Sequence, residues 1–255
     1  MSSAKDIFIK PISMNAARAI VKKIHYSGKV TNSQLHFGIF LNGKLEGALQ
    51  FGPSIDKRRT AGLVKDSLWS EFTELNRMAL SDQLPKNSES RAISICIKLI
   101  KKNYPQIKWV ISFADGAQCG DGTIYRASGF YLTGIKKNTQ MLRMPDGSIV
   151  AKKTLDNFIV NGKFGGVAAR EAGALPLMGF QLRYIYFIDK SYKERLTVPI
   201  LPFSDIDKKG AGMYKGVRRD TWANSSDQLE SGGSIPTITL QPHSKSKAES
   251  TNGPT

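Results

Sequence analysis

The chain has 255 residues, 40% of them hydrophobic, which is enough to fill the core of one large domain or two small ones. No segment approaches the roughly 18 uncharged apolar residues of a membrane span, and the N-terminus lacks the apolar stretch of a secretory signal. The two cysteines, Cys96 and Cys119, fit no metal-ligand spacing and favour a reducing compartment. We therefore expect a cytoplasmic protein that does not associate with membranes.

The charge is strongly positive. Lysine and arginine total 37 against 21 acidic residues, a net charge of +16. Acidic and basic residues nearly balance beyond Trp222, so the excess lies in the preceding part of the chain. Such an excess repels itself unless a polyanion neutralises it, which predicts a nucleic-acid partner. A charge that serves only solubility is the alternative.

The first half of the chain alternates between strand and helix patterns. DIFIKPI is a predicted strand, and SMNAARAIVKKIHY is an amphipathic helix capped by Ser13. QLHFGIFLNGKLEGALQFG predicts a hairpin that turns at Asn42-Gly43. A strand, SEFTELNRMALSD, and a helix, SESRAISICIKLIKKNYP, follow. The nearly all-apolar strand KWVISFAD indicates a buried, central position.

The second half predicts fewer regular elements. GTIYRASGF is a short helix, YLTGIKK and TQMLRMPDG form a predicted hairpin, and KFGGVAAREAGALPLMGF is an irregular Gly-rich insertion. QLRYIYFID is a strand, and SYKERLTVPILPF closes the packed body. We predict an α/β fold with one mixed central sheet flanked by helices. Its three parts are a core over residues 1–145, a Gly-rich insertion with an additional strand and a basic extension, packed on the core, over 146–220, and a disordered polar tail over 221–255.

This order of elements resembles the GNAT acyltransferase fold. More narrowly, five segments resemble the Mom family of phage DNA-modification enzymes: HYSG, ELNRMAL, SRAISICIKLIKK, ISFADG and GTIYRASGF. The resemblance covers residues 5–145, and QLRYIYFID is a candidate extension. It implies a transferase in the host-cell cytoplasm that alters the exocyclic N6 amine of adenine in double-stranded DNA, by carbamoylmethylation or a related acyl transfer. The modification would protect phage DNA from host restriction.

The resemblance also implies four catalytic residues: His25, Tyr26, Asp115 and Tyr125. His25, with an ordinary pKa of about 6.5, would act as a base or orient one. Asp115 would accept the His25 proton, orient the ring or contact adenine. Tyr26 would stack on the extruded base or donate a hydrogen bond, and Tyr125 would act as the acid for the leaving group. Taken singly, His25 also fits a helix cap, Asp115 a turn and Tyr125 a core residue.

The donor is less well defined. GNAT enzymes bind coenzyme A through a Gly-rich loop that opens a helix, whereas Lys86 and Ser88 stand here where glycines are expected. The predicted anion-binding residues are Gln83, Ser88, Ser90 and Arg91. The donor is acetyl-CoA or another activated acyl or aminoacyl compound. A metal held by His25, His36 and Asp115 is an alternative that their spacing does not require.

Two basic segments are the predicted contacts to DNA phosphates. Their residues are Lys57, Arg58 and Arg59, and, in what we expect to be a flexible arm, Lys208, Lys209, Lys215, Arg218 and Arg219. Solvated basic surface is the alternative for each segment. Two other functions also remain: a conventional GNAT acyltransferase for a protein or small amine, and a DNA-binding protein on a decayed transferase fold.

Overall fold

The computed structural model describes residues 3–117, 119–214 and 217–218. Its first half contains a 3-10 helix, Ala4–Asp6, and alternating strands and helices. These are β1 Phe8–Pro11, α1 Met14–Ile24, β2 Leu35–Leu41, β3 Lys44–Gly52, α2 Lys57–Ala61, β4 Phe72–Leu80, α3 Ser88–Asn103, β5 Trp109–Asp115 and α4 Thr123–Ala127.

The second half begins with β6 Tyr131–Lys137 and includes a segment of short elements, residues 138–179, which we call the insertion. The insertion contains β7 Met141–Arg143, β8 Ile149–Ala151, α5 Lys152–Leu155, β9 Ile159–Val160, β10 Lys163–Phe164, α6 Gly165–Glu171 and β11 Leu175–Pro176. After it come β12 Phe180–Phe187, a 3-10 helix Lys190–Arg195, α7 Ser204–Lys208, β13 Met213–Tyr214 and β14 Val217–Arg218.

A mixed seven-stranded sheet of order β1-β2-β3-β4-β5-β12-β6 forms the centre of the molecule. The β4–β5 pair is parallel, and the other neighbouring strands are antiparallel. The predicted α/β class with a mixed central sheet is therefore confirmed, as is the hairpin at Asn42-Gly43, where both residues have positive φ. The succession of elements expected from the GNAT resemblance is also present.

Two local predictions were wrong. YLTGIKK does not pair with TQMLRMPDG: β6 pairs with β12, while β7 pairs with β8 and β11. The Gly-rich insertion is not irregular, because it contains the helix α6 and a small core around Leu142, Ala169 and Ala174. In the first part of the basic extension Met213 is buried, and the flexible arm stays a prediction.

The two faces of the sheet are covered by different elements. On one, the α3 face, Ile93 and Ile97 of α3 pack on strand residues such as Val110. The other face carries a second core cluster that includes Trp109 and Ile111 of β5. Because successive strand side chains alternate, Asp115 lies on the same face as these two residues.

α1 packs on β3 and β4. Phe37 of β2 packs in the core on the α3 face, so its neighbour His36 points to the other face. Arg18 of α1 is a charged neighbour of His36. Helix α1 therefore lies on the face opposite α3. We call this second face the α1 face.

The parallel pair β4–β5 opens into a cleft. The two strands are paired only from Phe72 to Glu74 on β4 and from Trp109 to Ile111 on β5, although both strands continue beyond these residues. On the other side of β4, Phe51 pairs with Leu75 and Gln50 with Arg77, so Asn76 is an extra, bulged residue. The C-terminal parts of β4 and β5 thus diverge where polar side chains of both strands lie.

No helix in the described part of the chain has the length and apolar character needed to cross a membrane. The predicted tail, residues 221–255, lies outside the described residues, as do Lys215 and Arg219.

Candidate functional site

His25 occupies the C-cap of α1, where its backbone N–H donates to the Val21 carbonyl at 3.0 Å. Its Nδ1 accepts the Ser27 N–H at 3.2 Å and lies 2.9 Å from the Ser27 hydroxyl. A nitrogen that accepts an N–H carries no proton, so the neutral ring is protonated at Nε2. Burial, and then the Arg77 guanidinium, lower the His25 pKa to about 4. The ring is therefore neutral at pH 7 and presents Nε2–H as a donor.

Tyr26 joins α1 to the end of β5. Its ring lies 4.2 Å from that of His25, centroid to centroid, and 54% of the residue is exposed. The hydroxyl end nevertheless lies among protein atoms and donates a hydrogen bond to the Cys119 sulfur. Burial, Cys119 and the nearby Asp115 carboxylate raise the Tyr26 pKa well above its ordinary value. Tyr26 is a neutral phenol with an exposed ring face.

Asp115 ends β5 and begins a tight turn in which its Oδ1 accepts the Ala117 N–H at 3.0 Å. The turn brings Cys119 back toward Asp115, whose carbonyl accepts the Cys119 N–H at 2.8 Å. Burial raises the Cys119 pKa to about 11, against the effect of the Tyr26 hydrogen bond, so the sulfur remains a thiol. Asp115 therefore forms a turn, and this is compatible with the predicted catalytic role of its side chain.

β4 supplies two charged groups. Burial raises the pKa of Glu74, although contacts with Ser54, Asn76 and Arg77 oppose this effect. Arg77 donates from Nε to the Lys29 carbonyl at 3.0 Å and from Nη1 to the Asn76 carbonyl at 2.7 Å. Arg77 therefore ties the chain that follows Tyr26 to the bulge in β4.

Tyr125 lies on α4 and is 9% exposed, packed against Phe130 and Tyr184 at centroid distances of 5.4 and 5.2 Å. Its hydroxyl contacts the Ser112 hydroxyl, and burial raises its pKa to about 12. Cys119 and Glu74 are electrostatic neighbours of this hydroxyl. It therefore reaches the cleft from the α3 face, although most of the residue is core.

These groups form one electrostatically connected cluster at the open end of the β4–β5 cleft, which we call the cleft cluster. Its members are His25, Tyr26, Glu74, Arg77, Asp115, Cys119 and Tyr125. The cluster combines a neutral imidazole donor, two phenols, two carboxyl groups and a guanidinium. Such a set can orient a flat polar substrate, accept a proton from it and donate to a leaving group.

Sequence reasoning missed Glu74, Arg77 and Cys119. Glu74 and Arg77 stand in ELNRMAL, but the strand pattern alone does not show that a bulge puts both on the α1 face. Nothing in the sequence around Cys119 points to the site. For Glu74 and Arg77 the available signal was that polar residues interrupt the apolar pattern of ELNRMAL.

The predicted anion-binding residues surround the start of α3. Its N-cap, Asn87, has φ 70° and makes no side-chain capping bond. Ser88 is 1% exposed and donates to the Pro85 carbonyl at 2.6 Å, which turns its hydroxyl away from solvent. Gln83 and Arg91 are exposed, and Ser90 is half-buried. A role of the four residues in donor binding stays a prediction.

The first basic segment forms α2, whose Lys57, Arg58 and Arg59 are all exposed. Thr60 of α2 lies 2.9 Å from the hydroxyl of Ser54, which is a neighbour of Glu74, so α2 lies beside the cleft cluster. In the second segment the exposed Lys208 and Lys209 stand at the end of α7. The side chain of Arg218 lies outside the described residues.

A cavity of about 360 Å³ lies at the opposite, N-terminal end of β4, lined by Lys57, Trp69, Phe72 and Tyr104 among others. None of its lining residues belongs to the cleft cluster, so we assign it no part in the chemistry. Among the described residues no group of three His, Cys, Asp or Glu side chains could hold a metal ion. His36 contacts Ser33 and Gln50 instead.

Comparisons with known proteins identify the family of this chain. A model of the Mom protein family matches residues 6–205. The methylcarbamoylase mom of Escherichia phage Mu is 37% identical over 201 residues, which make up 77% of this chain and 82% of that protein. The family match extends past residue 145 and includes the insertion and β12.

Solved acetyltransferase structures are also similar. An IAA acetyltransferase from Bacillus cereus has a TM-score of 0.42 at 11% identity, covering 71% of this chain and 99% of that one. An N-acetyltransferase from Staphylococcus aureus has a TM-score of 0.40 at 13% identity, covering 71% and 97%.

Proposed function

The chain belongs to the Mom protein family and is a transferase, and we propose that its substrate is the exocyclic N6 amine of adenine in duplex DNA. The resemblance expected from five sequence segments is thereby confirmed at the level of the family. The substrate proposal rests on the cleft cluster. Its neutral hydrogen-bond donors and the half-buried carboxyl group of Glu74 suit a weakly nucleophilic amine. The transferred group is a carbamoylmethyl or related acyl group.

The chemical problem is the low reactivity of N6, whose lone pair is conjugated into the purine ring. Glu74 is the group that we assign as proton acceptor. Its raised pKa brings its basicity closer to neutral pH, and its carboxyl group lies on the α1 face with His25 and Tyr26. Desolvation in the cleft also strengthens each polar interaction with the base.

The reaction balances with one donor molecule. For an acyl group, the N6 lone pair forms a bond to the carbonyl carbon of an activated acyl or aminoacyl donor, such as acetyl-CoA; for a carbamoylmethyl group, it forms a bond to the methylene carbon of a donor in which that carbon bears the leaving group. The bond from that carbon to the leaving group breaks, and its electron pair stays with the leaving group. Glu74 takes the proton that N6 loses, and the Tyr125 hydroxyl provides a proton to the leaving group.

The other residues position the base. His25 presents Nε2–H to an acceptor nitrogen or oxygen of the substrate, and the exposed ring of Tyr26 provides a stacking surface. Asp115 accepts a hydrogen bond from the amine. Arg77 fixes the segment that bears His25 and Tyr26 relative to Glu74. Modified adenines would no longer be read correctly by host restriction enzymes.

Mass spectrometry of nucleosides from plasmid DNA, purified after expression of the chain, tests this function. We expect a heavier deoxyadenosine, whose mass shift identifies the transferred group. Asp115→Asn and Glu74→Gln should each lower its amount at least about a hundredfold, because each removes a group that acts on the amine.

Glu194→Gln is the matched control, since Glu194 is an exposed carboxylate outside the cleft cluster. It should modify DNA as the unaltered chain does. Unchanged nucleosides in cells that contain folded protein would contradict the DNA substrate and favour acylation of a protein or small amine.

A further inference from the structure

The insertion presents an unusual concentration of exposed apolar side chains. Of the 17 large hydrophobic residues that are strongly exposed among the described residues, eight lie between Ile149 and Met178. Four of them belong to one short hairpin, residues 158–164, which we call the tip hairpin: Phe158 64%, Ile159 63%, Val160 44% and Phe164 60% exposed. Apolar exposure of this density on one small element indicates a contact surface.

The tip hairpin has a defined shape. β9 and β10 pair Lys163 with Val160 and Phe164 with Ile159 across an Asn161-Gly162 turn. Both turn residues have positive φ, 48° and 74°, as a tight two-residue hairpin turn requires. Ile159 and Phe164 therefore stand side by side on one surface of the hairpin.

The base of the tip hairpin is held rigidly. The Phe158 carbonyl accepts the Gly165 N–H at 2.9 Å, and the Phe158 N–H donates to the Leu155 carbonyl at 2.9 Å. Asp156 accepts the Gly166 N–H at 3.0 Å and forms an ion pair with Lys152 at 2.6 Å. A Cβ on Gly165 would lie 2.2 Å from the Leu155 carbonyl oxygen, so α5 and α6 pack with no spare room. A two-stranded hairpin of this length needs such support.

The insertion and the end of β6 that leads into it are cationic. Seven basic and three acidic residues lie between Lys136 and Gly179. Two of the acidic residues, Asp156 and Glu171, already form ion pairs with Lys152 and Lys163. The other five basic residues are exposed, and we call them the basic surround: Lys136, Lys137, Arg143, Lys153 and Arg170. An apolar tip together with the basic surround matches stacked bases between two lines of phosphates.

The insertion is anchored at the cleft cluster. β12, which follows it, pairs Gln181 with Asp115, and the Phe180 carbonyl accepts the Gly116 N–H at 2.8 Å. Gly179 lies against Ala117 so closely that a Cβ would be 2.8 Å from the Ala117 Cα. The insertion thus leaves the sheet at the edge where Asp115 and Cys119 stand.

We propose that the tip hairpin is a wedge that enters duplex DNA beside the target adenine and fills the space left when the base turns out toward the cleft cluster. This inference rests on the proposed DNA substrate. A stacked and paired base cannot reach groups inside a cleft, so an enzyme that modifies it must extrude it. Apolar side chains inserted between base steps stabilise an opened duplex. Ile159 and Phe164 provide the inserted surface, and the basic surround holds the two backbones.

The test compares two DNA duplexes that differ in how easily the adenine leaves the stack. In one duplex adenine is paired with thymine, and in the other it faces an abasic site. We expect the double variant Ile159→Ser, Phe164→Ser to modify the paired adenine at least tenfold more slowly than the unaltered chain, with a much smaller loss on the adenine opposite the abasic site. Retained activity on the second duplex also shows that the variant is folded.

Two single variants serve as controls. Phe8→Ser removes an equally exposed aromatic residue at β1, an edge strand of the sheet, and Leu175→Ser removes an exposed apolar residue of the insertion outside the tip hairpin. Neither variant should change the ratio of the modification rate of the paired adenine to that of the adenine opposite the abasic site. Equal losses on both duplexes in the double variant, no loss at all, or a changed oligomeric state with an unchanged ratio would each overturn the wedge.

A readout that needs no modification separates the wedge from the proposed function. With 2-aminopurine in place of the target adenine, extrusion of the base raises fluorescence. We expect the unaltered chain to raise it and the double variant to raise it much less. If the unaltered chain extrudes the base but no modified nucleoside forms, the wedge stands and the proposed function fails. If it does not extrude the base, the wedge fails.

Discussion

Ser27 determines how His25 can act. Its N–H donates to Nδ1 at 3.2 Å, which leaves the ring proton on Nε2. A ring with its pKa near 4 in the folded state stays neutral at pH 7, so His25 donates from Nε2 without carrying charge. Acting as a base through Nε2 would require the opposite tautomer. This is why we assign proton acceptance to Glu74, whose pKa is raised.

The lowered pKa of His25 predicts a loss of stability in acid. The unfolded chain protonates this ring at about pH 6.5, whereas the folded chain resists protonation until about pH 4. The contribution of His25 to stability is therefore complete above pH 6.5 and declines as the pH falls to about 4, by at most ~3 kcal/mol.

Urea unfolding at pH 7, 5.5 and 4.5 measures this effect. In His25→Gln the decline between pH 7 and 4.5 should be smaller than in the unaltered chain, because glutamine does not titrate. His36→Gln, which leaves His25 intact, should keep the His25 part of the decline. Identical pH profiles for His25→Gln and the unaltered chain would contradict the assigned pKa.

At the scale of elements, the position of the site depends on how α1 and β4 end and bend. α1 stops at His25 because the chain there turns extended, with ψ 134°, and Gly28 follows with φ 57°. The bulge at Asn76 shifts the alternation of β4, so that Glu74 and Arg77 share a face despite their odd spacing. Asn76 Oδ1 is buried without a hydrogen-bond partner among the described residues.

The N-cap of α1 is Ser13, and its removal should lower the free energy of unfolding. The Ser13 hydroxyl accepts the Ala16 N–H at 3.2 Å. Ser13→Ala should lower the free energy of unfolding by about 1 kcal/mol, because it leaves this N–H unsatisfied. Ser13→Asp, which keeps an acceptor, should stay close to the unaltered chain in urea titrations. If both variants lose the same stability, the cap bond is not the cause.

At the scale of the whole molecule, part of the net charge of +16 lies near the open end of the cleft. α2 carries exposed cations near Glu74 through the Ser54–Thr60 contact, although its Lys57 also lines the cavity at the other end of β4. Lys136 of β6 pairs with Gln181, the partner of Asp115, so a further exposed cation lies two strands from Asp115. A duplex that presents adenine to the cluster would contact both.

The salt dependence of DNA binding tests this arrangement. Replacing Lys57, Arg58 and Arg59 together by glutamine should reduce the slope of log K against log salt by about 2 to 3, since each phosphate contact contributes about 0.9. Lys98, Lys101 and Lys102 of α3, exposed on the opposite face of the sheet, form the matched control set. Their replacement should leave the slope nearly unchanged, and equal effects of both sets would show that binding senses only net charge.

Much of the architecture was determined by the sequence itself, because it rests on local patterns. Apolar spacing predicted α1 and α3, Asn42-Gly43 predicted the hairpin, and the nearly all-apolar β5 indicated a central strand. The segments from HYSG to GTIYRASGF sufficed to identify the family, and four members of the cleft cluster followed from that resemblance.

Only the tertiary structure decided what depends on contacts between distant parts of the chain. The pairing of β6 with β12 across the insertion could not be read locally, since TQMLRMPDG offered a partner much nearer in the sequence. The roles of Glu74, Arg77 and Cys119 required the bulge in β4 and the turn after Asp115 to bring them beside His25 and Tyr26. Their proximity, and the burial that shifts their pKa values, arise from packing, which no linear pattern of residues contains.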